Sequence, residues 1–373
     1  MLPVTCNLFP ITFRLALTPG GRESSAHFRY NACVERLDQE RYSRQILFRP
    51  IGEAGQRKLA AARVAIVGCG AVGSHQAAAL VRAGVGELLV IDRDYVEESN
   101  LQRQSLFDER DAAESLPKAV AAEAHLKQAN SQVKVRGIVA DLTAENAPAM
   151  LSGIHVLLDG TDNFQTRYLL NDLSLDGGFP WIYGAAVGSY GVTMTIVPGR
   201  GPCLACLFPE PPAGLQPTCD TEGILSAAAS AVASIQVAEA LKILVGDWGA
   251  LHGKLISLNV WENRYQAVHP GAPREGCRAC QRREFAYLNG KGSPPITLCG
   301  RNSVQIHEQR RSLNFAELEG KLKPHGLVRA NPFVLKFSVA SYEMTIFPDG
   351  RAIIKGTSDT VLARSLYARY IGT

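Results

Sequence analysis

The 373-residue sequence has no excess of charge of either sign, no uninterrupted long apolar run and no internal repeat, and each absence closes off a class of protein. A formal net charge of +4, from 39 basic and 35 acidic residues, argues against a nucleic-acid or acidic-surface partner. The longest apolar segment, residues 223–245, carries Ser226, Ser230, Ser234, Gln236, Glu239 and Lys242, which fits a buried or interface helix and no membrane partner. The opening stretch lacks the basic and then cleanly apolar regions of a secretory signal, being broken by Pro3, Pro10 and Arg14. Residues 1–36 therefore read as a poorly ordered tail. The odd number of cysteines, nine, fits a reducing, cytoplasmic setting better than a disulfide framework.

What is present centres on residues 63–103. An apolar run (64–67) turns sharply through Gly68, Cys69, Gly70, Ala71, Val72 and Gly73 into an Ala-rich helical stretch, and a second apolar run (88–91) ends on Asp92. In such a unit the first glycine permits the turn, the second lets backbone approach a phosphate, and the third allows close helix–strand packing. Amides at the helix start then face phosphate, and an acid about 20 residues on holds a ribose hydroxyl. Asp92 lies 19 residues after Gly73, which marks a Rossmann-like site for an adenine nucleotide.

Beyond Asp92, residues 98–104 (ESNLQRQ) supply amide and guanidinium donors, and Pro117-Lys118 opens a helix to about residue 130. Strands are expected at 133–139 and 154–158, the latter leading into Asp159-Gly-Thr-Asp162-Asn163. Ligands collect at this end of parallel strands, so Asp162 reads as a ligand residue, with an N-cap for the helix 164–175 as the competing but compatible reading. Strands at 181–187 and 192–197, a helix at 224–245 and a hairpin over 254–268 complete an α/β domain over 37–285 with a largely parallel, mixed sheet.

Two cysteine pairs, Cys203/Cys206 and Cys277/Cys280, stand 71 residues apart (277 minus 206) in Gly/Pro/Arg-rich loop sequence. Pairing by chance and a redox disulfide are the competing readings, but loop sequence rather than a helix start favours four thiolates completing a tetrahedral zinc site with no open position, which makes the metal structural. Cys219 sits in a polar loop before a helix, where the helix dipole would lower a thiol pKa, and an ordinary loop cysteine is the competing reading. After a turn-rich crossing at 288–295, residues 286–373 read as a small α+β module with helices at 315–323 and 358–370, strands at 333–339, 342–347 and 352–355, and no loop assignable to chemistry.

These motifs together resemble the MoeB/ThiF/HesA family, relatives of ubiquitin-activating enzymes. The resemblance spans about 38–281 and rests on RYSRQI, VGCGAVGS, SNLQRQ, LDGTDNFQTRYLLND, GPCLACLFPEPP and CRAC. It implies a nucleotidyltransferase that adenylylates the C-terminal glycine carboxylate of a small ubiquitin-like sulfur carrier (MoaD/ThiS type, ending in Gly-Gly), releasing pyrophosphate, for thiamin or molybdopterin biosynthesis. It places ATP on Gly68, Gly70, Ala71, Gly73, Asp92, Ser99, Asn100, Leu101, Gln102 and Asn163. Arg103 and Lys118 then grip the phosphates, Asp162 associates with Mg²⁺, and Zn²⁺ sits on the four paired cysteines. It further implies a homodimer in which Arg44 reaches the partner's nucleotide, a covalent role for Cys219 in some members, and a cysteine desulfurase or other sulfur donor as a further partner. Ala71 departs from the glycine usual there. From another class, an NAD-dependent oxidoreductase would share the glycine turn and Asp92.

Overall fold

The structure is a computed structural model that describes residues 40–211, 219–290, 296–298, 302–306 and 313–372. Contacts divide the chain into residues 1–38 and 39–373. The tail expected at 1–36 lies outside the described residues, and all the described helices and strands belong to the second unit.

Two short helices, α1 (Ser43–Leu47) and α2 (Gly52–Ala60), lead into β1 (Arg63–Val67), α3 (Ala71–Ala83) and β2 (Glu87–Asp92). Single-turn and short helices α4 (Glu98–Leu101) and α5 (Glu109–Ala113) precede α6 (Lys118–Ala129), β3 (Lys134–Val139), α7 (Ala147–Met150), β4 (Val156–Asp159) and α8 (Phe164–Gly177). The chain then makes β5 (Trp181–Val187), β6 (Tyr190–Ile196), α9 (Leu204–Leu207), α10 (Cys219–Glu222), α11 (Ser226–Val245), β7 (Leu255–Asn259) and β8 (Arg264–Val268).

These strands form one eight-stranded sheet in the order β3-β2-β1-β4-β5-β6-β7-β8. The first five pair in parallel and β5 to β8 run as an antiparallel meander, giving the expected mixed sheet. Strand alternation splits the core in two. Val64, Ile66, Leu88, Val90, Val156 and Leu158 pack with α3, α6 and α11, while Ala65, Val67, Leu89, Ile91 and Leu157 pack with α8 and the cysteine segments. Burial on both faces explains why these strands read as continuous apolar runs. The 20-residue α11 is long and apolar enough to cross a membrane, but 61% of its most apolar 18-residue stretch is buried, and the helix packs on α3 and the sheet. β1 lies between β2 and β4, so the connections leave it in opposite directions and open a crevice at its carboxyl end.

The remaining strands, β9 (Ile296–Leu298), β10 (Ser303–Ile306), β11 (Leu327–Ala330), β12 (Leu335–Val339), β13 (Tyr342–Ile346) and β14 (Ala352–Lys355), build a separate antiparallel sheet in the order β11-β12-β13-β14-β10-β9. Helices α12 (Phe315–Leu322) and α13 (Thr360–Tyr370) cover one face of it. Asn314 caps α12, accepting from Ala316 N at 3.0 Å.

Candidate active site

The glycine turn joins β1 to α3 at the crevice. Gly68 has φ +85°, and a Cβ there would lie 2.6 Å from the Gly160 carbonyl oxygen; one on Gly73 would lie 1.9 Å from the Gly68 oxygen. The protein's own packing therefore demands both. Gly70 differs: its nearest neighbour would be Gln104 Nε2 at 3.9 Å, so its Cα faces room for a ligand. Gly70 also starts α3 without a side-chain cap, which leaves the first-turn amides to an anion. Ala71 is the first helical residue, a conformation that needs no glycine.

Asp92 ties the turn to the second strand. Its Oδ2 accepts from Cys69 N at 2.5 Å and its Oδ1 from Asp94 N at 2.7 Å. Lys118 Nζ stands 3.6 Å from Asp94 Oδ2 with only 9% of the side chain exposed. Burial works against charge on this lysine, but Asp94 and Asp92 outweigh it and hold the ammonium well above its usual range. Burial drives the Asp92 carboxyl upward against Lys118. Burial also opposes charge on Asp94, and Lys118 and Arg93 bring it below the usual range. The result is a desolvated cation between two acids at the crevice, and Asp94 is a member of it that no sequence motif singled out.

Asn100 is buried on α4. Its Oδ1 accepts from Glu97 N at 3.2 Å within a reciprocal capping box, which commits the oxygen to the helix and leaves the amide NH₂ outside the box. Arg103, half-buried, donates to the Ser99 carbonyl at 2.6 Å. Ser99 and Gln102 are exposed, whereas Leu101 packs against the apolar core beside α3 and α6.

At the end of β4 the cap is Asn163, whose Oδ1 accepts from Thr166 N at 2.8 Å, and not Asp162. Asp162 is exposed and its charge acts on Lys118, so it belongs to the same crevice. Behind it, buried Asp159 accepts from Thr161 N at 2.9 Å and faces Arg167 Nε at 3.4 Å. Gln76 and Gln236 both donate to its backbone oxygen. One chain thus brings together the glycine turn, Asp92, Asn100, Lys118 and Asp162, with Arg103 on the short helix that carries Asn100. Arg44 stands exposed on α1.

The four paired cysteines converge. Cys203 Sγ lies 3.8 Å from both Cys206 Sγ and Cys277 Sγ, and Cys206 Sγ lies 3.4 Å from Cys280 Sγ. These separations are too long for disulfides and match the ~3.8 Å edge of a sulfur tetrahedron with Zn–S bonds of about 2.3 Å. Arg274 N points to Cys206 Sγ at 3.4 Å, as donors around metal thiolates do. The cluster fits a structural zinc. It docks on α8, where Asn171 Oδ1 accepts from Leu204 N, Asp172 Oδ2 accepts from Tyr287 N, and Tyr168 stacks on Tyr287. Cys219 opens α10, but its side chain and residues 212–218 lie outside the described residues.

The ThiF family model matches residues 42–279, more than half of the chain. The Bacillus subtilis protein named sulfur carrier protein ThiS adenylyltransferase is 45% identical over 336 residues, covering 89% of this chain and 99% of its own. A match of that length reaches well past residue 279 into the C-terminal module. The SAMP-activating enzyme E1 of Haloferax volcanii is 39% identical over 242 residues, covering 65% of this chain and 88% of that protein. Among solved structures, E. coli MccB with ATP has the same fold at 24% identity and a TM-score of 0.55, covering 64% of this chain and 74% of that one. The chain therefore belongs to the ThiF family and is an adenylyltransferase, a nucleotidyltransferase of that type.

Proposed function

We propose that this enzyme adenylylates the C-terminal glycine carboxylate of a small ubiquitin-like sulfur carrier of the ThiS type, ending in Gly-Gly, with release of pyrophosphate. Support for the carrier class comes from the Bacillus subtilis relative, whose similarity extends through the C-terminal module. The observation that carries the reading is buried Lys118, kept charged by Asp94 and by Asp92, which itself holds the glycine turn through Cys69 N. A nicotinamide dinucleotide would use the same turn, but hydride transfer gives no use to that ammonium with Asn100, Arg103 and Asp162 around it.

The carrier carboxylate is ionised at neutral pH and needs no general base. It attacks the α-phosphorus, and the bond to the pyrophosphate oxygen breaks. Charge gathers on the leaving group, where Lys118, Arg103 and the α3 amides stabilise it more than in the ground state. Asp162 would hold Mg²⁺, which supplies further neutralisation of the phosphates. Arg44 of a second copy would complete the phosphate end in a homodimer. The carrier acyl-adenylate is then the electrophile for a sulfur donor such as a cysteine desulfurase, with Cys219 as the residue for a covalent link. The zinc, enclosed by four thiolates, stays structural.

The test is carrier-dependent ATP–pyrophosphate exchange against a panel of Gly-Gly carriers. Arg103→Ala and Asp162→Ala should each lower it on the order of 10²–10³-fold. Near-normal exchange in both variants overturns the assignment.

A further inference from the structure

The antiparallel C-terminal sheet has two unlike faces. Leu335, Phe337, Met344, Ile346, Ala352 and Ile354 point to α12 and α13 and are wholly buried there. The opposite row, by the pairings Lys336↔Thr345↔Ile353 and Glu343↔Lys355, is charged or polar in all but Ile353. Such a face suits solvent, yet Thr345 is fully buried and Ile353 nearly so. Tyr95, three residues after the ribose acid, covers it: Tyr95 forms a small core with Val334, Phe347 and Ile353.

Polar contacts surround the ring. Lys336 Nζ sits 4.4 Å from its centroid and Lys355 Nζ 5.8 Å. Thr345 Oγ1 donates to the Tyr95 hydroxyl at 3.4 Å, and that hydroxyl donates to Glu97 Oε1 at 3.0 Å. Lys355 Nζ donates to the same Glu97 oxygen. Burial opposes charge on Glu97, but the Lys355 ammonium and the Tyr95 hydroxyl hold its carboxyl below the usual range.

Glu97 and Tyr95 belong to the segment that sets the nucleotide site. Glu97 is the N-cap of α4, boxed with Asn100. Asp94 N is held by Asp92, and Asp94 O accepts from Lys118 N at 2.8 Å. Tyr95 bridges Pro117, and Val96 N donates to Leu116 O at 2.8 Å. A rigid link at Tyr95 and Glu97 thus constrains Asp92, Lys118 and Asn100 together.

We propose that the C-terminal module positions the nucleotide-binding segment, with Lys355 as the positioning residue acting on Glu97 and Tyr95. The inference rests on the adenylylation reading only for the identity of the nucleotide. In this role Lys355 acts through its contacts with Glu97 and Tyr95. Its loss loosens the site that ATP must order, so it acts on ATP affinity more than on turnover at saturating ATP.

The experiment is calorimetric titration of the full-length, zinc-loaded protein with ATP–Mg²⁺, paired with KM for ATP and kcat in pyrophosphate exchange. Lys355→Met should weaken ATP binding about fivefold or more, the low end for coupling between a remote contact and a binding site. KM for ATP should rise with it, kcat should stay near wild type, and Lys355→Arg should restore affinity. Tyr95→Phe, which keeps the ring and removes only the hydroxyl, should weaken binding in the same direction with zinc content unchanged and only a small drop in thermal midpoint. Unaltered ATP affinity in both Lys355→Met and Tyr95→Phe overturns the inference while leaving the adenylylation reading intact. So does a Lys355→Met defect that lies in kcat alone or is not rescued by arginine. Wild-type protein that binds ATP but shows no carrier-dependent exchange overturns the adenylylation reading and leaves the positioning role to be read from the titrations. Wild-type protein that binds no ATP overturns both.

Discussion

Lys118→Met separates two jobs of one side chain. The ammonium is buried, 3.6 Å from Asp94 Oδ2 and under the charge of Asp92, which already holds two backbone amides. Methionine fills nearly the same volume, so the loss is mainly electrostatic. Breaking a buried ion pair costs roughly 3–5 kcal/mol because the partner is left uncompensated. Here Asp94 is 41% exposed and water screens part of that penalty. We therefore expect about 1–3 kcal/mol of destabilisation, read as a lower urea midpoint at constant m-value. Exchange activity should fall on the order of 10²–10³-fold, the usual loss for one group that stabilises developing charge. The double variant Lys118→Met/Asp94→Asn removes one of the two stranded charges and leaves Asp92 on its two backbone amides. It should recover part of the stability and none of the activity. If activity returned along with stability, Lys118 would be only a structural counter-ion and its assignment to the phosphates would fail.

Two further outcomes are expected from the same geometry. Cys277→Ser, or prolonged chelation, should strip the zinc, measured by elemental analysis, and destabilise the fold by at least about 3 kcal/mol, a modest part of the ~10–16 kcal/mol that structural zinc sites bring. Zinc retained at full occupancy in Cys277→Ser would remove it from the ligand set. In the proposed homodimer, mixing inactive Arg44→Ala with inactive Asp162→Ala after dissociation should restore about a quarter of wild-type exchange, because half of the dimers would be mixed and each would have one intact site. No recovery from the mixture would place Arg44 in its own chain's site, and an active Arg44→Ala would place it outside any site.

The fold was legible where burial leaves a signature in composition. The runs at 64–67, 88–91 and 156–158 are apolar on both faces because helices cover both sides of the sheet, so their strands were readable to within a residue or two. β11 was not legible: three of its four residues, Leu327, Arg329 and Ala330, are exposed at a sheet edge, where burial imposes no alternation. β9 and β10 are three and four residues long, too short for a period-2 pattern to stand out. The α8 cap was displaced by one residue. Asp162 and Asn163 are both good capping types, and only the extended backbone of Asn163, with its bond to Thr166 N, decides between them.

The site divides along the same physical line. Gly68, Gly73 and Asp92 act within one strand–turn–helix–strand unit, where spacing along the chain is spacing in space, and the cysteine pairs declare themselves because one turn carries two ligands. Asp94, Tyr95 and Glu97 gave no such signal. Asp94 matters because a lysine 24 residues later folds back on it (118 minus 94). Tyr95 and Glu97 are held by Thr345 and Lys355, 250 and 258 residues away in sequence. A contact at that separation has no period and no motif, and its two ends read separately as a loop tyrosine and a strand lysine. The consequence is mechanical. The family-matched span ends at residue 279, before any strand of the second sheet, so the segment that carries Asp92 and Asn100 is contacted, through Tyr95 and Glu97, by a part of the chain that the motifs do not reach.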